Sequence, residues 1–97
     1  MKAPHAARHR FEMGITRVEF LRLLPVAVGH AVYRIEGDDI AADDDAWWIR
    51  LEEQPGRRFG ALVLPVLAVT LVLDAMSGEE ARIFVERFLL GYQRAGG

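Results

Sequence analysis

The feature that most constrains the fold is an apolar run near the end of the chain, from Phe59 to Leu73. It falls short of the roughly 20 residues that a membrane-spanning helix needs, and its many valines favour strands. A strand with one face exposed to solvent should alternate apolar and polar residues. The last part of this run is instead apolar on both sides, with Leu67, Val69, Leu71 and Leu73 on one and Ala68, Thr70 and Val72 on the other. We therefore expect a sheet that needs cover on both faces.

Two amphipathic helices flank this strand-rich region. Thr16 and Glu19 have the spacing of a capping box, in which each side chain satisfies a free backbone N–H at a helix start. Ser77 and Glu80 repeat that spacing before the second helix. Apolar residues then follow at helical spacing, namely Phe20, Leu23 and Leu24 in the first helix and Ala81, Phe84, Val85, Phe88 and Tyr92 in the second. Pro25 is expected to end or kink the first helix.

Short strands separated by turn residues are predicted between the helices, at 32–35, 40–42, 47–51, 59–64 and 67–73. Gln54-Pro55-Gly56 is interpreted as a turn and Pro65 as a break. Short turns favour hairpins, so the predicted class is a two-layer α+β fold. It has an N-terminal helix, a four- or five-stranded mainly antiparallel sheet and a C-terminal helix. Residues 1–14 are predicted to be a disordered arm, and 15–97 a single α+β domain.

Composition excludes several functional classes. The chain has 97 residues, 52% of them hydrophobic and 27% charged, with a formal net charge of −2. Neither a nucleic-acid partner nor a membrane is expected, because such binders are usually basic or carry long apolar helices. Cysteine is absent, and Lys2 is the only lysine among twelve basic residues. These biases favour a cytoplasmic protein from a GC-rich bacterium.

The residues that could perform chemistry are few. Thr16 and Ser77 are accounted for as helix caps, and no nucleotide-binding or nucleophile motif is present. The histidines are His5, His9 and His30, which lack the pattern of a zinc site, and the acids between Glu36 and Asp45 resemble hairpin turns. No catalytic residue, metal ligand or cofactor is predicted, and enzymatic activity is not favoured.

The apolar excess leads to the functional hypothesis, a non-catalytic protein-interaction or assembly module that acts as a homodimer. Candidate interface residues are Trp48, Ala68, Thr70, Val72, Ile83 and Leu90. A three-layer monomer with one helix on each face of the sheet is the alternative arrangement.

Two other functions stay open. The first is a small-ligand-binding protein or enzyme with a pocket between sheet and helices, using Tyr33, Arg34, Arg50, Tyr92 and Arg94. The second is a carrier protein that would use its C-terminal Gly96-Gly97, since carriers of this kind thread a tail without side chains into an adenylating enzyme.

Overall fold

A computed structural model describes the backbone of residues 8–96 and the side chains of residues 8–93. Within this part of the chain the elements are β1 (Arg8–Met13), α1 (Arg17–Ala27), β2 (Tyr33–Glu36), β3 (Asp39–Ala42), β4 (Trp48–Phe59), β5 (Leu62–Val72) and α2 (Gly78–Gly96). The strands form one sheet in the order β1-β5-β4-β3-β2, and every neighbouring pair is antiparallel. Both helices pack on the same face of the sheet. The predicted two-layer α+β fold is thus confirmed, and the three-layer alternative does not apply to the described residues.

Strand β1 corrects the prediction of a disordered arm over residues 8–13. It pairs with β5 from Arg8 opposite Val72 to Met13 opposite Leu67. The segment alternates as a strand should, because Phe11 and Met13 pack against the core while Arg10 and Glu12 stay exposed. Such a short polar segment becomes a strand only because β5 offers a free edge beside it. Residues 1–7 lie outside the described part.

Strands β4 and β5 form one long hairpin, where a turn and a break were predicted. Pro55 and Gly56 lie at a bulge inside β4, between Gln54 and Arg57, and Pro65 lies inside a continuous β5. Proline is tolerated in a strand where no neighbour needs its N–H, and β1 pairs with β5 only from Leu67 onward. The chain reverses instead at Gly60-Ala61, where Gly60 has a φ of 60°.

The core lies between the helices and the face of the sheet that they cover, which we call the near face. The alternating residues Ile49 and Leu51 of β4 face it, and Leu67, Val69, Leu71 and Leu73 do the same from β5 and the residue after it. The helices complete the core on the side away from the sheet, with Phe20 and Leu24 from α1 and Phe88 from α2. A string of aromatic rings runs through it, with Trp47 next to Phe84 and Phe20 stacked on Tyr92 at a centroid distance of 4.7 Å.

The predicted caps fix where both helices begin. Thr16 Oγ1 accepts a hydrogen bond from the Glu19 backbone N–H, and Ser77 Oγ accepts one from that of Glu80. At α2 the box is complete, because the Glu80 carboxylate also accepts the Ser77 N–H. Pro25 does not end α1 but lies in its last turn, where only one backbone hydrogen bond is lost.

Candidate interaction surface

The β4–β5 hairpin extends beyond the rest of the sheet. Strand β3 pairs with β4 only as far as Arg50, and β1 pairs with β5 only down to Leu67. Residues 54–66 therefore pair only with each other, and we call them the hairpin arm. The molecule measures 49 × 28 × 25 Å, and its radius of gyration of 14.0 Å exceeds the roughly 12.5 Å of a compact chain of this size.

The hairpin arm is apolar and exposed. Phe59 and Leu62 flank its turn and are 59% and 58% exposed, and the neighbouring Val63 is 54% exposed. Leu64 is also exposed. No residue of the arm belongs to the core cluster of the described part. These side chains are held in place by the backbone ladder of a two-stranded ribbon, which is at best marginally stable alone in water.

Alternation along the strands divides these side chains between two faces. Phe59, Leu62 and Leu64 lie on the face of the sheet away from the helices, which we call the far face, together with Arg57. An ion pair between Arg57 and Glu12 of β1, at 3.3 Å, supports this assignment. Val63 lies on the near face, where it lines a cleft with Ile15 and Thr16 at the start of α1.

The sheet part of the far face brings together four of the six predicted interface residues. Ala68 and Val72 in the middle of β5 are only 1% exposed, although no described helix covers them. Longer side chains flank them on the neighbouring strands, since Trp48 is opposite Val72 and both Glu12 and Glu52 are opposite Ala68. A single chain thus hides the apolar centre of this face, with Trp48 and Thr70 left partly exposed.

Charged side chains on the far face lie in pairs of opposite sign. Arg10 contacts Glu52 at 3.3 Å across β5. Arg50 donates to both oxygens of Asp39, at 2.8 and 3.0 Å, and its guanidinium lies 5.9 Å from the Trp48 ring centre. The hydrogen bond from Arg50 lowers the pKa of the Asp39 carboxyl below its usual value. Because all these groups are well exposed, the pairs add little to stability.

The other two predicted interface residues lie elsewhere. Ile83 and Leu90 are exposed on α2, on the opposite side of the molecule from the far face. The predicted set therefore does not form one surface. It also omits the hairpin arm, whose apolar residues were assigned to a strand inside the sheet. The available signal was that both sides of the arm's strand are apolar while the two helices supply only one layer of cover.

The candidate ligand-binding residues do not converge. Tyr33 packs on Trp47 at the near face, with a ring distance of 6.0 Å, and Tyr92 is buried and donates its hydroxyl to the Phe20 carbonyl at 2.9 Å. Arg34 and Arg50 lie on different strands and are paired with acids. The side chain of Arg94 lies outside the described residues, as does Gly97 of the predicted carrier tail, while Gly96 is the last residue of α2.

The cluster of acids near β2 and β3 surrounds an arginine. Arg34 contacts Glu36 at 3.5 Å and Asp45 at 3.4 Å, and it also donates to the Ala42 carbonyl. Within the described residues no three His, Asp or Glu side chains are grouped so that they could hold a metal ion. The cluster is thus explained by turn geometry and by charge compensation.

A cleft of about 430 Å³ opens between the end of β1 and the end of α2. Its lining is mostly apolar, with Phe11, Met13, Ile15 and Leu89, and the hydroxyl of its Tyr92 is already engaged with a backbone carbonyl. In the part of the chain described, no helix is long and apolar enough to cross a membrane. Comparison of the chain with protein-family models, curated proteins and solved structures finds no match.

Proposed function

We propose that this chain is a non-catalytic protein-interaction or assembly module that acts as a homodimer, with the hairpin arm at the contact. The observation that carries the proposal is the exposure of four large apolar side chains on an element that contributes nothing to the core formed by the described residues. They are Phe59, Leu62, Val63 and Leu64. Phe59, Leu62 and Leu64 share one face of the arm, and grouped exposed apolar side chains of this kind mark interaction sites in small proteins.

The energetic argument concerns what the arm gains from a partner. Complete burial of a large apolar side chain contributes about 1.5–3 kcal/mol, and each of these four is between 39% and 59% exposed. Burying the exposed parts would thus contribute several kcal/mol before the entropic cost of association. A twofold-symmetric dimer is the commonest assembly that provides such burial.

The same proposal includes a bacterial cytoplasmic setting. Its support is compositional, namely the absence of cysteine and the strong preference for arginine over lysine. The non-catalytic part is supported by the wide separation of the candidate polar residues, none of which meet in a common cleft within the described side chains.

Sedimentation equilibrium between about 1 and 100 µM tests the proposal. The protein is expected to form a dimer, and Phe59→Ser to raise its dissociation constant about tenfold or more, as expected from losing about 1.4 kcal/mol of burial. Val26→Ser is the matched control, because Val26 is 61% exposed and lies in the last turn of α1, at the end of that helix away from the arm. It should leave the dissociation constant within a factor of two. A protein that stays monomeric over the whole range would refute the dimer.

A further inference from the structure

We infer that the second copy packs on the far face of the hairpin arm, face to face about a twofold axis, and does not add a strand to the edge of the arm. This inference rests on the proposed dimer and names its geometry. It commits to a second copy of the chain as the occupant of a surface formed by Phe59, Leu62 and Leu64 and the adjoining far face of the sheet.

The edges of the arm are poor templates for strand addition. An edge recruits another strand through regularly spaced free N–H and C=O groups. Pro55 interrupts one edge beside a bulge, and Pro65 interrupts the other. Each proline removes a donor from a free stretch only a few residues long. The arm is therefore expected to bind a partner through its apolar faces and not through its edges.

The two faces of the arm differ in what lies beside them. On the near face the arm meets the start of α1, where Val63 lines a cleft with Ile15, Thr16 and Arg17. On the far face no described helix interrupts the surface, which continues from Leu62 and Leu64 to Trp48 and Arg50 on the sheet. Only the far face offers a broad surface for a copy of the same shape.

The area required for a stable dimer favours this continuous surface. The exposed parts of Phe59, Leu62 and Leu64 amount to about 300 Å², taking about 200 Å² for a large side chain. A standard interface buries about 800 Å² per partner. Contact between arm tips alone is therefore too small, and the adjoining sheet surface around Trp48 must take part.

The charges of the far face fit a copy of the same face. Beside the arm and in the middle of the sheet each arginine is paired with an acid, Arg10 with Glu52, Arg57 with Glu12 and Arg50 with Asp39. At the β2 edge of the same face, Arg34 contacts both Glu36 and Asp45. A copy turned about a twofold axis that contacts the arm and the middle strands therefore meets paired charges of both signs there. A polyanion or an anionic membrane would need a net positive face, which this arrangement does not provide.

Thiol labelling tests which face of the arm is covered. The chain has no cysteine, so Leu62→Cys and Val63→Cys each introduce a single thiol, at adjacent and similarly exposed positions on opposite faces. The rate of reaction with a small maleimide is measured tenfold above and tenfold below the dissociation constant. Dimerisation is expected to slow labelling of the far-face cysteine about threefold to fourfold, because about a fifth of the chains are still monomeric at the higher concentration, and that of the near-face cysteine less than twofold.

Variants that place a charge on one face of the arm provide a second test, in which the dimer dissociation constant is measured without any labelling. Leu62→Glu is expected to weaken the dimer at least tenfold, and Val63→Glu less than threefold, with circular dichroism confirming the fold of both. Equal effects at both positions would indicate edge pairing, and a larger effect at Val63 would indicate the near face; either result overturns the inference and leaves the dimer standing. A wild-type protein that is monomeric at 100 µM overturns both.

Discussion

The contact between α1 and α2 depends on the absence of a side chain at position 91. A Cβ built on Gly91 would lie 2.8 Å from both Cα and Cβ of Ala27, closer than real Cβ contacts. The obstacle includes backbone, which cannot rotate away. Gly91 thus allows the helices to approach closely, and the approach sets Tyr92 beside Phe20.

Replacing this glycine by alanine is expected to destabilise the protein. Alanine in a helix is normally favoured over glycine by about 1 kcal/mol, but overpacking a core contact costs about 1–3 kcal/mol. We expect Gly91→Ala to lower the free energy of unfolding in urea by up to about 2 kcal/mol net. Gly78→Ala is the control, because nothing lies within 4 Å of its added Cβ. A gain in stability at position 91 would show that the helices can move apart freely.

The hairpin arm is the element that sets this molecule apart from an ordinary two-layer domain. Strands β4 and β5 have 12 and 11 residues, whereas β2 and β3 have four each, so the long pair must project. No residue of the arm lies in the core of the described part of the chain. The arm and the rest of the molecule are therefore expected to contribute separately to association and to stability. We expect stability to depend on the rest of the molecule, and we propose that association depends on the arm.

Shortening the arm tests this separation. Gln54 pairs with Val66, so an Asn-Gly turn replacing residues 55–65 would join two strands that are already in register. We expect the shortened protein to keep its circular dichroism spectrum and its unfolding transition as a monomer, and to lose concentration-dependent association. The full-length protein measured under the same conditions is the reference. Loss of the fold would show that the arm stabilises the rest of the molecule.

At the scale of the whole molecule, the buried Tyr92 couples stability to alkaline pH. Burial raises the pKa of its phenol far above the ordinary value of about 10. The unfolded chain can therefore release this proton above about pH 10, while the folded chain retains it. Stability is fully present below pH 10 and declines as the pH rises beyond it, by at most about 1.4 kcal/mol per pH unit for one group.

Comparison with Tyr92→Phe isolates this contribution. The variant loses the hydrogen bond to the Phe20 carbonyl, which should cost about 1 kcal/mol at pH 8. Between pH 10 and 11 its free energy of unfolding in urea should fall less steeply than that of wild type. Tyr33 is present in both proteins and cancels in the comparison. Parallel slopes would mean that Tyr92 ionises without unfolding.

The sequence by itself determined the local structure and the class of fold. The caps at Thr16 and Ser77 located both helix starts, and the apolar spacing after them predicted which helix residues enter the core. These features follow from interactions within a few residues or from the period of one helix. The fold class could be predicted because two amphipathic helices and an apolar sheet can bury their apolar faces against each other in only a few layer arrangements.

Only the tertiary structure decided which strand edges are paired and which surfaces remain open. A pattern shows that Phe59 and Leu62 belong to a strand, but it does not show whether a third strand lies beside them. For the same reason the short segment 8–13 became a strand, and Ala68 and Val72 were flanked by longer side chains from neighbouring strands. Pairing and cover are contacts between residues distant in sequence, which periodicity along the chain does not encode.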